Sequence, residues 1–145
     1  MCTPWQVVIA SSDPDQLRRL REILQQQELE PICTSTVMES RNVLVKETVG
    51  LVFCDRKLAD GDYSDLIAAG RSVNSRARFV VTSPQADWDE FVEAVRFGAF
   101  DVITAPCRPK DVEWMIIQAK RDDRKMANQR LTSSGGSLVR RAAGD

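Results

Sequence analysis

Five short apolar runs alternate with helix-like patterns along this 145-residue chain, and that alternation narrows the fold more than any other feature. The runs are 6–10, 31–34, 50–54, 78–82 and 100–104. Short strands separated by amphipathic helices form βαβ units, which build a parallel sheet covered on both faces. The expected fold is therefore α/β, a doubly wound five-stranded parallel sheet with five helices. In open sheets of this kind the chemistry gathers at the C-terminal edge of the strands.

Capping and stripe signals place the helices. Asp13 is a candidate N-cap followed by Pro14, with Leu17, Leu20 and Leu24 on one stripe. Thr36-Val37-Met38-Glu39 has the spacing of a capping box and leads into Val43 and Leu44. A short Ala-rich helix is expected over 64–71. Trp88, Phe91, Val92 and Val95 recur at i, i+3, i+4 and i+7 before Gly98, a C-terminal stop, and Val112, Met115, Ile116 and Ala119 repeat that spacing after Pro109. Both stripes are expected to face the sheet.

Composition removes several classes of function. The net charge of −1 gives no global field to recruit nucleic acid or an anionic membrane. No apolar run approaches a membrane span, and the polar start Met1-Cys2-Thr3-Pro4 lacks a signal-peptide pattern, so a cytoplasmic protein is expected. Histidine is absent, which removes Ser-His and Cys-His nucleophilic sites and histidine-ligated metals. Cys2, Cys33, Cys54 and Cys107 are widely spaced and read as apolar core residues in a reducing compartment. From Lys120 to Asp145 lie seven basic and three acidic residues around Thr132-Ser133-Ser134-Gly135-Gly136-Ser137, which reads as a helix end and a linker. That stretch lacks the aromatic residues that stack on bases, so it is not expected to bind nucleic acid.

The residues at strand ends carry the functional signal. Asp55 closes the third run, Ser11 and Ser12 follow the first, Ser83 follows the fourth, and Ala105-Pro106 follows the fifth. With Asp13-Pro14, Leu58-Ala59-Asp60-Gly61 and Gly98-Ala99-Phe100-Asp101, this order resembles the receiver domain of bacterial two-component response regulators, over roughly Val7 to Ala119. The resemblance implies the flavodoxin-like receiver fold, a receiver domain over 1–131 and a flexible tail over 132–145. It also implies that Asp55 stands at the phosphoacceptor position, Ser83 at the position of the hydroxyl that contacts the phosphoryl group, and Pro106 after a cis peptide bond.

The departures from that family are chemical. Ser11 and Ser12 stand where it keeps two magnesium-binding acids, Ala105 where it keeps a lysine, and Val102 where an aromatic switch residue is common. Phosphoryl transfer depends on a hard cation and fixed donors neutralising the moving oxygens. The pocket is thus degenerate, with no metal or other cofactor expected. Lys57, or a water, is the expected partner of the Asp55 carboxylate, which needs compensation at a buried edge. Ser11 and Ser12 have no base to activate them as nucleophiles, and no glycine-rich phosphate loop follows the first strand.

The leading expectation is a non-enzymatic pseudo-receiver that acts by protein contact, with weak or absent phosphorylation at Asp55. Its partner would be a histidine kinase or a downstream signalling protein. Homodimerisation is expected through the fourth helix, fifth strand and fifth helix, where Arg96, Phe97, Lys110, Glu113 and Trp114 are candidate exposed residues. The alternative is a response regulator that accepts a phosphoryl group on Asp55 from a histidine kinase, with Mg2+ as its cofactor.

Overall fold

The structure is a computed structural model that describes residues 5–132, with the helical backbone alone over 123–132. Cys2 and the expected flexible tail, apart from Thr132, lie outside the described residues.

The elements in chain order are β1 (Gln6–Ala10), α1 (Pro14–Gln26), β2 (Ile32–Thr34), α2 (Val37–Lys46), β3 (Val49–Asp55), β4 (Lys57–Leu58), β5 (Gly61–Asp62), α3 (Tyr63–Ser72), β6 (Arg78–Ser83), α4 (Trp88–Phe97), β7 (Asp101–Thr104) and α5 (Pro109–Thr132). Strands β2-β1-β3-β6-β7 form one parallel sheet, and β4 and β5 add a two-stranded hairpin just after Asp55. The five-stranded sheet and five helices are the fold anticipated from the sequence. The hairpin was not anticipated, because two-residue strands leave no periodicity to read.

Strand alternation divides the core. Val7, Ile9, Leu51, Phe53 and Val80 point towards α1 and α5, where they meet Leu20, Leu24, Val112, Met115 and Ala119. Val8, Val52, Cys54, Phe79 and Val81 point the other way, among Leu44, Leu66, Ile67 and Ala94. Phe53 and Leu51 are fully enclosed, and burying such side chains stabilises the fold by about 1.5–3 kcal/mol each.

Local chemistry fixes the helix starts. The Asp13 carboxylate accepts from Asp15 N–H, Thr36 from Glu39 N–H, and Asp87 from Glu90 N–H, while Asp62 and Asp65 form a reciprocal capping box on α3. Asp60 adds a cap from outside, its two oxygens accepting from Val37 N–H at 2.6 Å and Met38 N–H at 3.1 Å. Gly98 ends α4 at φ +106°, the left-handed region that favours glycine.

Two expectations about burial need correction. The α5 stripe is buried throughout, but the α4 stripe is not: Trp88 is 72% and Val95 43% exposed. Helix α4 is rotated so that Glu90, Phe91 and Ala94 face inwards, and Trp88 stacks on Phe91 with ring centroids 5.5 Å apart. A carboxylate drawn inwards by polar partners overrode the apolar period. Cys33 is exposed, because β2 is an edge strand and Cys33 lies on its Ile9 side, beyond the cover of α1. Cys54 and Cys107 are buried thiols.

Candidate functional site

Register decides what surrounds Asp55. It ends β3 on the same side as Leu51 and Phe53, facing α1 and α5. Ala10 pairs with Cys54, so Ser11 lies level with Asp55 on one flank, and Thr82 pairs directly with Asp55 on the other. Ala105 follows β7 and donates its N–H to Ser83 O at 2.9 Å, completing the row. The Ala105–Pro106 peptide bond is cis.

Both carboxylate oxygens of Asp55 are engaged by hydroxyls. Ser11 Oγ donates to Oδ2 at 2.5 Å, and Thr82 Oγ1 donates to Oδ1 at 2.6 Å. Ser11 Oγ also accepts from Asp13 N–H at 3.1 Å. Burial raises the Asp55 carboxyl above the ordinary range; the Ser11 and Thr82 hydrogen bonds pull it back, and the nearby Asp13 charge pushes it up again.

The carboxylate lies at a pocket of about 500 Å³ that Arg19, Arg56, Lys57, Thr82, Ala105 and Pro106 help to line. None of these cations pairs with it. Arg19 Nε donates to Cys107 O at 2.7 Å, Arg56 Nη1 sits 2.7 Å from Glu90 Oε2, and Lys57 is exposed at the start of the hairpin. The expected Lys57 partnership is thus corrected: the two hydroxyls already satisfy the carboxylate from within the sheet edge, and Lys57 stays in solvent.

The hydroxyl facing Asp55 is also corrected. It belongs to Thr82, whereas Ser83 is turned to the opposite face by strand alternation and donates to Glu90 Oε1 at 2.8 Å. The missed residue was legible in principle, since Val80 and Thr82 share one side of β6 and Ser83 shares the other with Val81. Ser12 is exposed and donates to Ser35 O at 2.9 Å, so of the two serines only Ser11 bonds Asp55.

This donor set does not suit magnesium, which asks for near-octahedral oxygen ligands that include carboxylates. Asp13 caps α1, and Asp15 lies 2.9 Å from Arg18. Among the described residues no three His, Cys, Asp or Glu side chains converge at metal-ligand spacing. With alanine at 105, the last strand brings no ammonium group to the pocket.

A second polar cluster lies behind the first, between β6 and α4. Arg56 and Ser83 converge on Glu90, whose Oε2 meets Arg56 at ion-pair distance without an aligned hydrogen bond. Tyr63 Oη donates to Glu93 Oε1 at 3.1 Å, and its ring meets Phe97 edge-on at 6.0 Å. Burial first, and Glu93 second, push the Tyr63 hydroxyl up to about 12. Val102 lines this cluster with no ring of its own to fill it.

The candidate interface residues of α4 and α5 do reach solvent: Phe97 is 48% and Trp114 53% exposed, and Arg96, Lys110 and Glu113 are exposed as well. No helix of the described residues is long and apolar enough to cross a membrane.

No family model matches the chain. In sequence it is similar to the response regulator protein PilR of Pseudomonas aeruginosa, 29% identical over 100 residues, which is 68% of this chain and 22% of that protein. The chain thus spans about a fifth of the length of that relative. In structure it is similar to a CheY-like response regulator receiver domain from Methanospirillum hungatei, with a TM-score of 0.73 at 20% identity, covering 83% of this chain and 98% of that one. It is similar to the same degree, with a TM-score of 0.73 at 18% identity, to the beryllofluoride-activated NtrC4 receiver domain dimer, covering 81% of this chain and 97% of that one.

Proposed function

We propose, from the premise that this chain is a receiver domain of the response-regulator kind, that it is a pseudo-receiver: a non-enzymatic cytoplasmic module that signals by protein contact and does not use Asp55 as a rapid phosphoacceptor. One observation carries the reading. Both oxygens of Asp55 accept short hydrogen bonds from Ser11 and Thr82, while the cations that line its pocket, Arg19, Arg56 and Lys57, do not pair with it.

Physical chemistry links that geometry to inactivity. An aspartate attacks a phosphoryl group through a carboxylate oxygen, and the charge on the transferred oxygens must be neutralised as it moves. Here one oxygen pair is clamped by hydroxyls, the acids that would hold magnesium are serines, and alanine replaces the terminal cation. The same clamp gives the carboxylate a structural role, pinning β1, β3 and β6 together at their C-terminal edge.

The partner surface in this reading is the face of α4, β7 and α5, the last strand of the main sheet being β7. Trp88, Val95 and Phe97 of α4 and Trp114 of α5 expose apolar area, and aromatic residues commonly anchor interfaces. The NtrC4 neighbour is a dimer, which supports assembly of receiver folds as a mode open to this chain. A histidine kinase or a downstream signalling protein is the other class of partner.

Incubation with acetyl phosphate and magnesium, followed by intact mass measurement, tests the reading. An unchanged mass is expected. A mass gain that disappears in Asp55→Asn would restore the alternative, a regulator phosphorylated on Asp55 with magnesium as its cofactor.

A further inference from the structure

The opposite edge of the sheet carries a second concave site, independent of the Asp55 pocket. A groove of about 560 Å³ opens between the ends of α3 and α4 and the start of β6, with Ile67 and Phe79 beneath and Arg71, Arg76, Arg78 and Gly98 around it. Three guanidinium groups thus surround one concavity.

The three arginines differ in their commitments. Arg78 is taken: its Nε and Nη2 meet Asp122 Oδ2 at 2.9 and 2.7 Å. Its Nη1 donates to Arg76 O at 3.3 Å, which helps order the loop. Arg71 and Arg76 have no carboxylate at ion-pair distance among the described residues.

The Arg71 guanidinium lies close to Gly98. A Cβ at position 98 would fall 2.1 Å from its Nη2, so the glycine that ends α4 also leaves room for the guanidinium to lie against the backbone. The loop between Arg71 and Arg76 is tied back on itself, with Asn74 N–H donating to Arg71 O and Ser75 N–H to Gly70 O. Ser75 Oγ accepts from Ala77 N–H at 3.2 Å, which leaves the hydroxyl proton to point at a ligand.

Planar guanidinium forks are matched to oxyanions, which they bind through paired hydrogen bonds. The groove is within the usual volume range of small-molecule sites. We propose that it binds a small polyanion, whose phosphate or carboxylate groups are taken by Arg71 and Arg76 with Ser75 as a further donor. The two chemistries share the same recognition, and the test separates them.

The full chain would be titrated, by amide NMR at physiological salt, with inorganic pyrophosphate and separately with tricarballylate. The expected result is saturable shifts confined to residues 67–79 and Gly98, weakened about tenfold or more in the double variant Arg71→Gln, Arg76→Gln and unchanged in Arg18→Gln. A response to pyrophosphate alone assigns a phosphate ligand, and one to tricarballylate alone a carboxylate. Absence of saturation with both probes, shifts spread over surface cations, or unchanged affinity in the double variant would overturn the proposal and leave the arginines serving only the C-terminal ends of α3 and α4. If the double variant loses the native tryptophan emission, Arg76→Gln alone, on the exposed loop, carries the same comparison.

Discussion

Thr82 and Ser83 are neighbours in sequence yet serve two clusters of opposite electrostatic character. On the α1 and α5 side, Thr82 and Ser11 supply neutral hydroxyls to Asp55. On the α4 side, Ser83 shares Glu90 with the guanidinium of Arg56, the residue directly after Asp55. The cation nearest in sequence to the central carboxylate is thus spent on α4. The difference separates two structural roles: the charge pairing holds α4 against the end of β6, and the hydroxyl-bonded carboxylate ties together the ends of β1, β3 and β6.

The comparison can be broken outright by rebuilding the pocket. A triple variant, Ser11→Asp, Ser12→Asp and Ala105→Lys, puts back two carboxylates and one ammonium. It should gain magnesium-dependent beryllofluoride binding, read by tryptophan fluorescence, and the wild type should show none. A rebuilt pocket that stays inert would mean that the scaffold, and not the missing charges, limits the chemistry.

Smaller changes sharpen it. Arg56→Ala leaves Glu90, whose side chain is only 15% exposed, without its cation and should cost about 2 kcal/mol in chemical denaturation. Thr82→Val keeps the shape but removes one donor from Asp55, at about 1–2 kcal/mol, whereas Ser83→Ala should cost about 1 kcal/mol because Arg56 still faces Glu90. Equal costs for the two β6 substitutions would erase the distinction between the clusters.

The smallest effect is one of pH. Burial raises the Asp55 carboxyl in the folded state, so the folded protein binds this proton more readily than the unfolded chain. The favourable contribution of this group is present below the unfolded value and is lost as pH rises through the folded one. Asp55→Asn should therefore melt slightly above the wild type at neutral pH, with the gap closing as pH falls towards the ordinary carboxylate range. A gap that widens on acidification would contradict the sign.

Much of this was legible in the residues. The five apolar runs, the Asp13 and Thr36 caps, the Gly98 stop and the α5 stripe all rest on local periodicity or local hydrogen bonding, which sequence displays directly. The position of Asp55 beside Ser11 and Ala105 follows from strand ends. What the sequence concealed was tertiary. Thr82 was passed over because it lies inside the apolar run, and only strand parity reveals that it, not Ser83, shares a side with Asp55. The inward turn of Glu90 could not be read from α4, because its partners are Arg56, just after β3, and Ser83, at the end of β6. Lys57 looked like a counter-charge by proximity in sequence, and the β4–β5 hairpin that carries it into solvent has no periodic signature.

Asp55 is a carboxylate held by two hydroxyls, with none of the cations around its pocket paired to it. Titration of its carboxyl carbon by NMR, with and without millimolar magnesium, tests this most directly. The account predicts a midpoint above the ordinary aspartate range that magnesium leaves in place; a midpoint below that range, or one that magnesium drives downwards, would contradict it.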